Sequence, residues 1–172
     1  MTLQVFETPR IPPALYGLTD GPALVSAPTG AERSGHLLRI RARRVLPTSP
    51  DELFAAWTRR AAWESWLRLR ARSRATLAAT PGAAFRLELA EGPTIHVIVG
   101  TIRELRPDEF LSFTWVHQNA NDYGSVIDVS FAPYGNQTEL ELVHRGIASR
   151  REAAWLMRLW TAALSRFTSF AA

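Results

Sequence analysis

Three histidines, His96, His117 and His144, are the residues best placed for chemistry near neutral pH, where an imidazole can pass a proton or ligate a metal. Each sits in a run that alternates apolar and polar residues, and the parity of those runs puts all three on one inner face. Counting back from the turn at Pro107-Asp108 makes His96 and His117 near neighbours across adjacent strands. No carboxylate is read on that parity to orient them. They are therefore read as structural histidines, each with one satisfied hydrogen bond, and no catalytic residue, metal ligand or cofactor is assigned.

Tryptophan is the second conspicuous type. Trp57, Trp66, Trp115 and Trp160 suit a box for a flat apolar molecule, although each ring taken singly is explained by core packing. Other chemistries are excluded or unsupported. The chain has no cysteine, which removes disulfides, thiolate catalysis and zinc–thiolate sites. Its net charge of +4 is too modest to argue for nucleic acid. The arginine rows Arg39/Arg41/Arg43 and Arg68/Arg70/Arg72/Arg74 lack the interleaved aromatics of a single-strand platform, and read as solvated outer faces. Asn119–Gly124 has the look of a calcium loop, but Ser130 stands where the distal glutamate is required.

The elements that must position these residues follow from pattern. Residues 1–35 alternate prolines and glycines and read as an arm that drapes over the domain or meets a second copy. Residues 36–172 read as one domain. His36–Arg43 alternates as a strand that Pro47 ends. Ser49-Pro50-Asp51-Glu52 is a helix start with the features of a capping box, and a second short helix is expected around Ala61–Trp66. Strands are predicted over 66–77, Phe85–Leu89, Thr94–Leu105, Phe110–His117, Ser125–Phe131 and Thr138–Arg145, joined as consecutive hairpins. Ser149 and Glu152 open a final helix whose stripe runs through Ala153, Leu156, Met157, Trp160, Leu164, Phe167 and Phe170. The fold class is thus α+β: a curved antiparallel sheet of about seven strands, with two short helices and a long C-terminal helix across the concave face. One helix is too narrow to fill such a trough, so an apolar hollow is expected beside it.

With 47% hydrophobic residues the composition is that of a globular protein, and no segment reaches the length of a membrane span. The N-terminus lacks the basic and apolar regions of a secretory signal, so a cytoplasmic location is expected.

The motifs also resemble a known family. The run from Pro47 to Thr58 (PTSPDELFAAWT), then Trp66, Gly100–Pro107 (GTIRELRP), Leu111–Trp115 (LSFTW) and Thr138–Gly146 (TELELVHRG) are similar to the START-like superfamily. The closest branch is that of small bacterial proteins related to the activator of the heat-shock-protein-90 ATPase. The resemblance spans roughly residues 38–170. It implies a helix-grip fold and, for many relatives, a cavity that takes lipids, sterols or polyketide-like molecules. Two departures stand out: Leu159 precedes Trp160 where relatives often carry glycine, and a 35-residue arm cannot replace the large N-terminal domain of the chaperone activator.

The leading functional expectation is non-catalytic binding of a small hydrophobic molecule. Its lining would come from Phe54, Trp57 and Trp66 on the short helices and Phe85, Ile98, Phe113, Trp115, Ile127, Val129 and Leu142 on the sheet. Trp160 and Leu164 would close it from the long helix, and His117 and His144 would supply polar contacts. The alternatives are a cyclase- or aromatase-like enzyme using a cavity histidine, and a chaperone-interacting module or a homodimer formed through the arm.

Overall fold

The computed structural model describes residues 2–8, 37–67, 79–118 and 124–169. The strand expected over 66–77 with its row Arg68–Arg74, most of the arm, the Asn119–Asp122 segment and Phe170 lie outside the described residues, apart from Trp66 and Leu67, which end a helix.

Among the described residues seven strands form one antiparallel sheet: β1 (Thr2–Thr8), β2 (Leu37–Leu46), β3 (Ala84–Glu91), β4 (Thr94–Arg106), β5 (Phe110–His117), β6 (Ser125–Tyr134) and β7 (Gln137–Ile147). Their spatial order is β1-β2-β7-β6-β5-β4-β3. The strand missed by the sequence reading is β1, which lies within the proline- and glycine-rich arm and pairs from Thr2↔Arg43 to Thr8↔Leu37. Leu3, Val5 and Glu7 alternate with Gln4 and Phe6, too short a run to stand out beside Pro9 and Pro12. Register shifts interrupt the ladders at Leu38/Arg39 and Ile102/Glu104, and such irregularities bend and twist a sheet.

Strand parity follows burial. Leu38, Ile40, Ala42 and Leu46 on β2, Phe85, Leu87 and Leu89 on β3, and Leu140, Leu142 and His144 on β7 all point into the core. On the opposite face Arg41 and Arg43 both pair with Glu141, the latter at 2.6 Å, and Arg43 lies 3.7 Å from Glu139.

Among the described residues three helices cover the concave side. In α1 (Pro50–Thr58) the Glu52 carboxylate accepts the Ser49 backbone N–H at 3.2 Å and the Thr48 hydroxyl, which fixes the start of the helix. Arg59 is extended and separates α1 from α2 (Arg60–Trp66). The long helix α3 (Arg150–Ser165) begins at Ser149, whose hydroxyl accepts the Glu152 N–H at 3.1 Å. It is roughly four turns long, shorter than its apolar stripe suggests. The stripe continues through a 3-10 turn, Arg166–Ser169, that carries Phe167 into the core. Arg44 donates to the Leu164 carbonyl and Arg166 to that of Trp66 at 2.8 Å, tying this end of α3 to β2 and α2. A helix laid over a curved antiparallel sheet is the helix-grip arrangement that the resemblance implies.

Candidate functional site

The space between sheet and helix is filled rather than hollow among the described residues. Trp57 is the hub: its ring lies 4.6 Å from Trp66, 6.1 Å from Trp160, 6.4 Å from Trp63 and Phe113, and 6.0 Å from Phe167. Trp63 adds Phe85 and Phe113 at 5.6 and 5.7 Å, and Trp115 meets Trp160 at 5.4 Å. The long helix alone would leave a hollow, but α1 and α2 supply three tryptophans that occupy the remainder. Trp63 and Phe167 were absent from the expected lining. Of the residues expected there, Trp57, Trp66, Phe85, Phe113, Trp115 and Trp160 join this aromatic cluster. Ile98, Ile127, Val129, Leu142 and Leu164 are fully buried in the same core. Phe54 instead packs edge-on against Phe131 at 6.0 Å, away from those rings.

Two of the indole N–H groups complete α1: Trp63 donates to the Trp57 carbonyl and Trp66 to that of Ala56 at 2.8 Å. Trp57 itself differs. Its Nε1 is buried and has no hydrogen-bond partner among the described residues. An interior donor left unpaired costs about 1–3 kcal/mol, and such groups are rare enough to require a reason.

His144 is fully buried within a closed set of bonds. The Trp160 indole donates to His144 Nδ1 at 3.1 Å, and Ser125 Oγ lies 2.6 Å from Nε2 and donates to the Trp115 carbonyl at 3.0 Å. With Nδ1 accepting, the neutral ring carries its proton on Nε2 and donates to Ser125. Burial alone pushes its pKa down to about 3. Both nitrogens are engaged, so this histidine orients Trp160 and Ser125 and holds no free lone pair for a substrate.

The other two histidines meet at the rim. His117 pairs with Ile98 across β4 and β5, which sets it diagonal to His96, and His96 Nδ1 lies 3.1 Å from His117 Nε2. A carboxylate is present after all: Glu91 Oε2 is 3.3 Å from His96 Nε2. Glu91 shares the parity of Phe85, Leu87 and Leu89, so extending that strand to the hairpin turn would have found it. From α3, Trp155 packs on the His96 ring at 4.8 Å and Arg158 reaches within 3.9 Å of Glu91. The side chain of His96 is about one-fifth exposed. Burial, and then the neighbouring His96, lower the pKa of His117.

One cleft opens on the other side of the aromatic cluster. It has a volume of about 220 Å³, with Leu53, Ala55 and Ala56 of α1, Ala62 of α2 and Phe167 forming apolar walls, and Thr48, Glu52 and Arg59 at its edge. The small side chains of the three alanines leave this space. A dry cavity of about 150 Å³ already admits benzene, so the cleft has room for a single ring. Phe167 belongs both to its wall and to the stack on Trp57.

Among the described residues no group of three or more histidines, aspartates or glutamates converges as a metal cage, and no helix is long and apolar enough to cross a membrane.

Residues 47–172 match the family described as activator of Hsp90 ATPase homolog 1-like protein. Among solved structures, a protein from Chromobacterium violaceum is similar at 22% identity and a TM-score of 0.67, over 77% of this chain and 96% of its own. Another, from Mesorhizobium loti, gives 21% identity and 0.65, over 76% and 94%. The Aha1 dimer from Colwellia psychrerythraea gives 15% and 0.61, over 76% and 92%. At these identities the likeness establishes the fold. No curated protein matches the chain.

Proposed function

The chain belongs to the family of activator of Hsp90 ATPase homolog 1-like proteins, and we propose that it is a non-catalytic binder of a small, largely apolar molecule that carries one hydrogen-bond acceptor. The observation that supports this reading is the unpaired indole N–H of Trp57, buried at the hub of the aromatic cluster. A ketone, ester or phenol oxygen beside it would satisfy this buried donor, which has no partner among the described residues, while the apolar body would gain by burial. The route inward is the cleft between α1, α2 and the C-terminal turn. A guest there rests on Leu53 and Ala56, and one that displaces the Phe167 ring reaches Trp57. His117 and His144, first considered as polar contacts, have smaller parts in this reading: His144 is spoken for by Trp160 and Ser125, and His117 stands at the far rim.

The test uses protein purified without detergent, examined by native mass spectrometry and by thermal shift against apolar ketones, esters, phenols and fatty acids. A saturable shift is expected, weakened roughly tenfold by Trp57→Phe, which keeps a ring but removes the donor. Equal affinity in the variant would overturn the role given to the N–H. Failure to retain or respond to any apolar compound would overturn the binder itself.

Pairing of β1 along the edge of β2 supports a second reading: the N-terminal strand serves association with another copy of the chain.

A further inference from the structure

The rim histidines carry an inference independent of the apolar ligand. His96 Nδ1 and His117 Nε2 face one another at 3.1 Å, while the remote nitrogen of His96 is held by Glu91 at 3.3 Å. A carboxylate on the far side of an imidazole is the arrangement that orients a metal-ligating histidine, fixes its tautomer and raises its basicity. We propose that His96 and His117 form a two-imidazole site for a late first-row divalent cation, with water completing the coordination.

The distances suit this use. Two nitrogens each ~2.0–2.1 Å from zinc and as far apart as these subtend about 100° at the metal, within the range of a tetrahedral site. The cation then lies to one side of the line between the nitrogens, and modest ring rotations bring both lone pairs onto it. In the neutral pair, Glu91 accepts the Nε2 proton of His96, and His96 Nδ1 accepts the Nε2 proton of His117. Metal binding requires one tautomer change. The His117 proton leaves Nε2 and is replaced through solvent on Nδ1, which has no partner among the described residues, so both facing nitrogens offer lone pairs with no net loss of protons. Both rings are partly exposed at the rim of the sheet, so the cation keeps its waters. Imidazole donors select zinc, copper or nickel over calcium and magnesium, which prefer oxygen. Trp155 limits rotation of the His96 ring, and Arg158 stands by the other Glu91 oxygen.

The experiment titrates ZnCl2 and NiCl2 into tag-free full-length protein, followed by calorimetry and thermal unfolding, with MgCl2 as control. One equivalent of zinc or nickel binding at micromolar metal is expected, with a higher melting temperature that chelator reverses and no response to magnesium. His96→Gln and His117→Gln should each abolish stoichiometric binding, and Glu91→Gln, which spares both ligands, should weaken it about 10–100-fold. Near-UV circular dichroism of each variant, with native spectra required, separates loss of the site from loss of the fold. Absence of one-to-one binding at millimolar metal, or binding that survives in either histidine variant, would overturn the assignment. Unchanged affinity in Glu91→Gln would overturn the role of the carboxylate.

Discussion

At the scale of single residues, the contrast between His144 and the rim pair shows how neighbours decide what an imidazole can do. His144 accepts from Trp160 and lies against Ser125 in full burial, with its pKa down to about 3. Above pH ~6.5 its ring is neutral in the folded and unfolded chain alike, and its protonation leaves stability unchanged. As pH falls below that value the unfolded chain takes up the proton first. Stability therefore drops by ~1.4 kcal/mol per pH unit until the folded ring itself titrates. The carboxylates lowered in the fold, Asp51, Glu52 and Glu141, act only in or below their unfolded range near 4, so the window between roughly pH 6 and 5 belongs to His117 and His144. Urea unfolding of His144→Gln across that window should show a slope reduced by one proton's worth, together with a loss of about 1–3 kcal/mol at pH 7 from the broken bonds. A slope equal to that of the unaltered chain would mean that the ring is protonated inside.

At the scale of elements, the strands pass one another too closely for any side chain at Gly100. A Cβ there would stand 2.1 Å from the Thr114 carbonyl oxygen and 2.4 Å from the Phe85 ring. Gly100→Ala should therefore cost about 1–3 kcal/mol or more, measured as a fall in the denaturation midpoint. Shortening Phe85 cannot rescue it, because the backbone contact remains. That glycine was visible in the sequence as part of a motif, but the reason for it was not, since it depends on how β3, β4 and β5 approach. Much else at this level was legible. The alternation in β2, β3 and β5–β7, the β-branched run of β4, the Ser49–Glu52 start of α1 and the stripe of α3 all encode their own elements through period, composition and capping. What pattern does not encode is how far side chains reach across a gap. Leu38 and Trp160 both read simply as inward-facing, yet only the assembled fold reveals that Trp57, Trp63 and Trp66 occupy the space left free by α3. Glu91 is obscured for a narrower reason: it is the last residue of β3, next to the hairpin turn, where the inward parity of Phe85, Leu87 and Leu89 falls on a charged side chain.

At the scale of the molecule, the sheet formed by the described residues runs from β1 on one side to β3 on the other. Removing residues 1–34 strips β1 from β2 and bares a row of backbone donors and acceptors, which favours pairing with any other strand edge. If the arm serves association with a second copy, light scattering should find a dimer in the full chain and a monomer, or larger disordered assemblies, in the truncated one. A full chain that is monomeric at all accessible concentrations would remove that role and leave β1 as an edge cover. The tryptophan arrangement has an optical corollary. Five indoles lie in one network of ring contacts, close enough to share excited-state energy, whereas Trp155 makes its ring contact with His96. Emission from the five should respond to whatever enters beside Trp57, and emission from Trp155 to whatever binds the imidazole against it, so an unlabelled sample carries separate reporters for its two ends.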